Sequence, residues 1–76
     1  MLLCDGKVGN SYILESMELP ESLSKRLEAL GMTVGTSISV LNSKGQGILI
    51  IKIRGTRFAL GKNISRNIKV REPHEG

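Results

Sequence analysis

Leu27-Glu28-Ala29-Leu30-Gly31-Met32-Thr33-Val34-Gly35 is the stretch on which the fold turns. Upstream of it, Leu19, Leu23, Leu27 and Leu30 recur at helical spacing and make one apolar stripe. Gly31 supplies a left-handed stop, and Met32 can fold back onto Leu27, the apolar contact of a Schellman ending. Pro20 suits the first helical turn, where a missing N–H costs nothing. Glu21 sits near the positive end of the helix dipole and pairs with Lys25 four residues on. Downstream of Gly35 the apolar period changes to two. The stretch therefore predicts a helix that stops and turns directly into a strand.

Working outward, residues 11–17 can form a strand, although Tyr12-Ile-Leu14 does not alternate cleanly. Ile38 and Val40 alternate with Thr36, Ser37 and Ser39. Asn42-Ser-Lys-Gly-Gln-Gly47 reads as a turn. Leu49, Ile51 and Ile53 form one face of the next strand, and Ile48, Ile50, Lys52 and Arg54 the other. Gly55-Thr56, with glycine first, predicts a two-residue type II′ hairpin. Phe58 and Leu60 continue the inward face. Gly61 to Arg66 predicts one short helical turn, and Ile68 with Val70 a last strand.

The expected fold is mainly β: a small SH3-like barrel of about five strands, with one helix after the first strand and a short helical turn before the last. Closing the sheet would remove its adhesive edges. The expected core is Leu23, Leu27, Leu30, Ile38, Val40, Ile51, Ile53, Phe58, Leu60, Ile68 and Val70. Gly31, Gly35 and Gly55 are expected to supply turn geometry. Residues 1–71 form the expected domain and 72–76 a disordered tail.

With 76 residues the chain makes one domain and one modest core. A domain this small buries only ~60% of the surface its unfolded chain exposes, so its core must be efficient. With no Trp, and Tyr12 and Phe58 as the only aromatics, that core is aliphatic. The lone Cys4 allows no internal disulfide, which suits a reducing compartment. The longest apolar run, Ile48–Ile51, falls far short of the ~20 residues of a membrane span. The N-terminal residues lack a basic region followed by an apolar segment. A soluble cytoplasmic protein is the expectation.

Charge is uneven. Residues 1–43 hold three basic and five acidic side chains, whereas residues 44–76 hold eight basic and two acidic ones. A one-sided basic surface attracts acidic partners or remains a solvated face.

These residues carry a family resemblance. Leu3-Cys-Asp5 and Gly9, then Leu27, Leu30-Gly31-Met32 and Gly35, then Gly55, Ala59-Leu60 and Ile68-x-Val70, are similar in order and spacing to the FeoA family of bacterial ferrous iron transport. The likeness runs from about Leu3 to Val70. Gly6 stands where that family often has leucine, Val8 and Val34 where it often has proline, Gly61 for a polar or basic residue, and Ser65 for alanine. The resemblance implies an SH3-like barrel that works with FeoB, a membrane ferrous iron permease with a cytoplasmic nucleotide-binding domain. It also implies kinship with an accessory module of metal-dependent repressors, and a family-level description as transition-metal binding.

The residues themselves are poor in metal donors. A stable site wants three or four converging Cys, His or carboxylate ligands, and the chain has one Cys and one His, His74. Cys4 reads better as a packed small residue, and His74 as a solvated tail side chain. Catalysis finds no support, because no nucleophile, base and orienting acid recur at a usable spacing. Gly45-Gln-Gly47 lacks the Gly-Lys-Ser/Thr ending of a phosphate loop. The expected protein is non-enzymatic and carries no cofactor.

Two binding readings stay open. The basic half fits a nucleic-acid footprint, but the exposed aromatics on which bases stack are missing. The other reading is a protein interface. Ile48-Leu-Ile-Ile51 is apolar on both faces, so Ile48 and Ile50 meet solvent, the helix or a partner, beside Lys52 and Arg54. Either the leucine stripe covers Ile48 and Ile50, or they form an apolar centre with a cationic edge. The expected contact residues are Met32, Ile50, Lys52, Arg54 and Arg57, and the expected partner is the cytoplasmic region of FeoB.

Overall fold

The computed structural model describes residues 1–73. Five antiparallel strands form one sheet: β1 (Ser11–Met17), β2 (Ser37–Lys44), β3 (Ile48–Ile53), β4 (Thr56–Leu60) and β5 (Ile68–Arg71). Helix α1 (Glu21–Ala29) joins β1 to β2, and the short helix α2 (Lys62–Ser65) joins β4 to β5. The strands lie side by side as β4-β3-β2-β1-β5. The expected succession of a strand, a helix and four more strands is therefore the one observed. The expected tail at 72–76 falls partly, and His74 wholly, outside the described residues.

All five strands contribute to a single buried cluster. It contains Tyr12 and Leu14 of β1, Ile38 and Val40 of β2, Leu49, Ile51 and Ile53 of β3, Leu60 of β4, and Ile68 and Val70 of β5. A flat sheet of five strands is about 20 Å wide, so its outer strands would not share a core. The sheet must wrap around these side chains. Leu3, Leu27 and Met32 join the cluster from outside the strands.

Two bulges shape the wrap. The β1–β5 register shifts between Leu14 and Ser16, and the β2–β3 register between Val40 and Asn42. Each leaves one spare residue, Glu15 and Leu41, and a bulge of that kind bends its strand. The first explains why alternation along β1 is broken: Tyr12 and Leu14 point inward before it, and Met17 packs on the core after it.

The helix ends as a Schellman motif. The Met32 N–H donates to the Leu27 carbonyl at 3.0 Å and the Gly31 N–H to the Glu28 carbonyl at 2.9 Å. Gly31 has φ +108°, a conformation that L residues seldom adopt. This closure corrects two expectations. Met32, expected as a partner contact, has no exposed surface, whereas Leu30, expected in the core, is 46% exposed. Once the chain reverses at Gly31, Met32 lies over the end of the helix and fills the place that Leu30 would have taken. Leu23 and Phe58 are half-buried at the edge of the core rather than inside it. Pro20 stands just before the first helical residue, its carbonyl accepting from the Ser24 N–H at 2.9 Å.

Two turns also differ from expectation. Asn42, Ser43 and Lys44 belong to β2 and pair with Ile50, Leu49 and Ile48, so only Gly45-Gln46-Gly47 turns. Pairing with three apolar β3 residues outweighs the turn preference of Asn and Ser. In the next hairpin Ile53 pairs with Thr56, so the turn is Arg54-Gly55, one residue earlier than expected. Both residues have positive φ, +50° and +83°, which makes it type I′ rather than II′. The aliphatic stem of Arg54 lies against Gly31, tying this turn to the helix end.

The two ends of the sheet are finished differently. On β5, the Val70 N–H donates to the Met1 carbonyl at 2.8 Å, and Leu2 bridges to Lys69. The N-terminal residues thus cover that edge. β4 pairs with β3 alone, and the ladder does not run on from β4 to β5. Wrapping, rather than a closing ladder, gives the barrel its shape.

Candidate partner interface

Register decides which side chains share the outer face of the sheet. Leu49, Ile51 and Ile53 point inward, so Ile48, Ile50 and Lys52 point outward. Across β4, Lys52 stands opposite Arg57 and Ile50 opposite Ala59. On the β2 side, Asn42 is opposite Ile50 and Ser39 opposite Lys52. The outcome is a small apolar area, Ile50 with Ala59, next to two cations directly across from each other. Arg54 in the adjoining turn adds a third positive charge.

No carboxylate among the described residues neutralises these charges. Among the described residues the single ion pair is Lys25–Glu21 at 2.9 Å on the exposed face of α1. None of the eight basic residues from Lys44 to Arg71 has a carboxylate partner among the described residues. Like charges directly opposite in a sheet destabilise it by up to ~1 kcal/mol. The β3–β4 face therefore carries repulsion that an acidic surface would relieve.

The leucine stripe of α1 does not relieve it. Leu27 is buried and Leu19 and Leu23 are half-buried against the central cluster, so the stripe faces the core. Ile48 stays 38% exposed and Ile50 half-buried on the outer face. Of the five expected contact residues, Ile50, Lys52 and Arg57 share this face and Arg54 adjoins it. Met32 lies beneath it in the core. Gly31, Gly35 and Gly55 all have positive φ.

The aromatics offer no stacking platform here. Tyr12 is buried, its hydroxyl oxygen accepting from the Lys7 N–H at 2.8 Å. Phe58 lies on the inward side of β4, opposite Ile51. Cys4 is half-buried in a 3₁₀ turn beside the exposed Asp5. Among the described residues no three His, Cys, Asp or Glu side chains converge as metal ligands, so the donor set does not fit a resident metal there. Ser65, the buried polar residue, directs its hydroxyl at the Lys62 carbonyl, 3.5 Å away, which is a helix-end contact rather than an activated nucleophile. Among the described residues no helix is long and apolar enough to cross a membrane.

The expected core lacked Leu3, Tyr12, Leu14 and Leu49, all of which are buried in it. Sequence reading also missed Gly6. A side chain there would start 3.0 Å from the Tyr12 ring and 3.0 Å from the Leu3 carbonyl oxygen. The absent side chain at Gly6 and the large Tyr12 are two halves of one packing arrangement.

Comparison with known proteins agrees with this architecture. The model of the FeoA domain matches residues 1–72. An iron uptake regulatory protein (FeoA) solved by crystallography is 31% identical, with a TM-score of 0.82, over 93% of this chain and 95% of that one. FeoA of Stenotrophomonas maltophilia, described as an SH3 domain protein and complexed with zinc, is 24% identical with a TM-score of 0.78, over 92% and 88%. A manganese-dependent transcriptional repressor is 15% identical with a TM-score of 0.84, over 96% of this chain and 41% of that one, a likeness of fold. No curated protein matches the chain in sequence.

Proposed function

Because the chain belongs to the FeoA family, we propose that it is a non-enzymatic cytoplasmic accessory protein of ferrous iron uptake that docks on the cytoplasmic region of the FeoB permease. The docking surface is the outer face of β3 and β4. The observation that carries this reading is the cross-strand pair Lys52 and Arg57, left without carboxylate partners among the described residues, beside Ile50 and Ala59. An apolar centre with a charged edge is the usual anatomy of a specific protein interface. Ferrous iron is the permease's cargo in this reading, and the accessory protein acts by binding one conformation of FeoB better than another.

Capture by the immobilised cytoplasmic region of FeoB tests it. The wild-type protein binds, and binding weakens as salt rises because rim charges are screened. The double variant Lys52→Glu with Arg57→Glu keeps its melting temperature and loses at least tenfold in capture. Full capture by the folded double variant removes this face. Failure of the wild-type protein to bind at low salt removes the FeoB reading itself.

A further inference from the structure

We propose that the free edge of β4 takes up an extended acidic segment of a partner protein as a sixth strand. This rests on the docking reading above and specifies the partner's chemistry at the same face. In a two-residue hairpin the pair flanking the turn exchanges both ladder bonds, and alternate pairs follow suit. Ile53–Thr56, Ile51–Phe58 and Leu49–Leu60 are those pairs. Thr56, Phe58 and Leu60 therefore commit their backbone groups to β3. Arg57 and Ala59 direct their N–H and C=O to the far side, where no group of the described residues meets them. The opposite end of the sheet is covered by Met1 and Leu2, so β4 is the open edge.

Side chains select the occupant. On the outer face an added strand runs beside Arg57, with Lys52 one strand further in and Arg54 at the turn. On the inner face it lies beside Phe58, which is half-buried for want of a neighbour on that side. A segment with carboxylates and aliphatic side chains at alternating positions satisfies both faces, and main-chain bonds to Arg57 and Ala59 supply its grip. A second copy of this chain would bring Arg57 and Lys52 of each molecule together and meet repulsion.

The test uses ¹⁵N-labelled full-length protein and a capped synthetic peptide, Thr-Glu-Val-Glu-Val-Glu-Thr. Amide exchange at Arg57 and Ala59 slows at least tenfold on saturation, and the peptide with Lys in place of Glu has no such effect. Methylating alternate peptide nitrogens abolishes the protection. Ala59→Pro removes an outward N–H without touching the β3 ladder, so the variant folds and loses the peptide. If it does not fold, the methylated peptide carries the test. Equal binding of the methylated and unmethylated peptides, with Arg57 and Ala59 exchange unchanged, overturns strand addition while leaving docking on the face intact. Tighter binding of a single-stranded oligonucleotide of matched charge, or a dimer abolished by Ala59→Pro, overturns the acidic-peptide assignment.

Discussion

Replacing Gly31 with alanine probes the junction from which the fold is built. Its φ of +108° lies where an L side chain costs ~1–2 kcal/mol. A Cβ there would also meet Arg54 Cδ at 3.2 Å and Ile53 Cγ2 at 3.4 Å. The Ile53 distance is ordinary van der Waals contact, so the squeeze falls on the Arg54 stem, which the type I′ turn holds in place, and adds about 1 kcal/mol, the low end for an overfilled site. The sum is about 2–3 kcal/mol out of the ~4–11 kcal/mol expected for a domain of this size. For such domains each kcal/mol shifts the midpoint by roughly 4–8 °C, so the expected fall in Tm is about 10–20 °C. Thermal unfolding followed by circular dichroism measures it. Gly35→Ala is the internal standard: its φ is +89°, yet nothing lies within 4 Å of the added Cβ, so it bears the backbone cost alone. Gly31→Ala with Arg54→Ala separates the contact from the dihedral. A fall of less than 3 °C for Gly31→Ala, or a larger fall for Gly35→Ala, would refute the reasoning.

Further outcomes follow from the same packing. Met32→Ala should cost ~2–4 kcal/mol by opening a cavity, and Leu30→Ala less than ~0.5 kcal/mol, as for surface sites; urea unfolding of the pair reveals any reversal. Gly6→Ala should destabilise by ~1–3 kcal/mol through overpacking, and Tyr12→Leu in the same chain should recover part of it, a non-additivity that a double-mutant cycle measures. Arg57→Glu places an acid opposite Lys52 and should raise stability by a few tenths to ~1 kcal/mol in low salt, with the gain shrinking in 1 M salt; an unchanged Tm at both salt levels would mean that the two side chains do not interact.

Much of the fold is legible because its signals are local. The period-two runs in β3 and β5 and the Leu27–Gly31–Met32 ending each depend on neighbouring residues alone. What escaped depends on pairing. The apolar Ile13 between Tyr12 and Leu14 hides their alternation, and the bulge at Glu15 that turns Met17 to the core shows only with β5 alongside. Leu30 and Met32 exchange roles because a Schellman closure moves the second residue after the helix inward. The site was half visible. Its cations stand out in composition, but that Lys52 faces Arg57 follows from the hairpin register. A turn at Gly55-Thr56 would have set Arg57 against Arg54 instead. The open edge of β4 could not be read at all, since the lateral order of strands is a tertiary property.

The pairing of Met1 with Val70 bears on how this domain yields to mechanical load. Leu2 and Lys69 run antiparallel, so a pull on the N-terminal residue and on the chain beyond Arg71 enters at one corner of the sheet. Tension then reaches the ladder bonds one after another, as in a zipper, rather than all at once in shear. A tethered domain of this design opens under gentle traction from its ends, whereas a pull applied along β3 and β4 must overcome their pairing as a block.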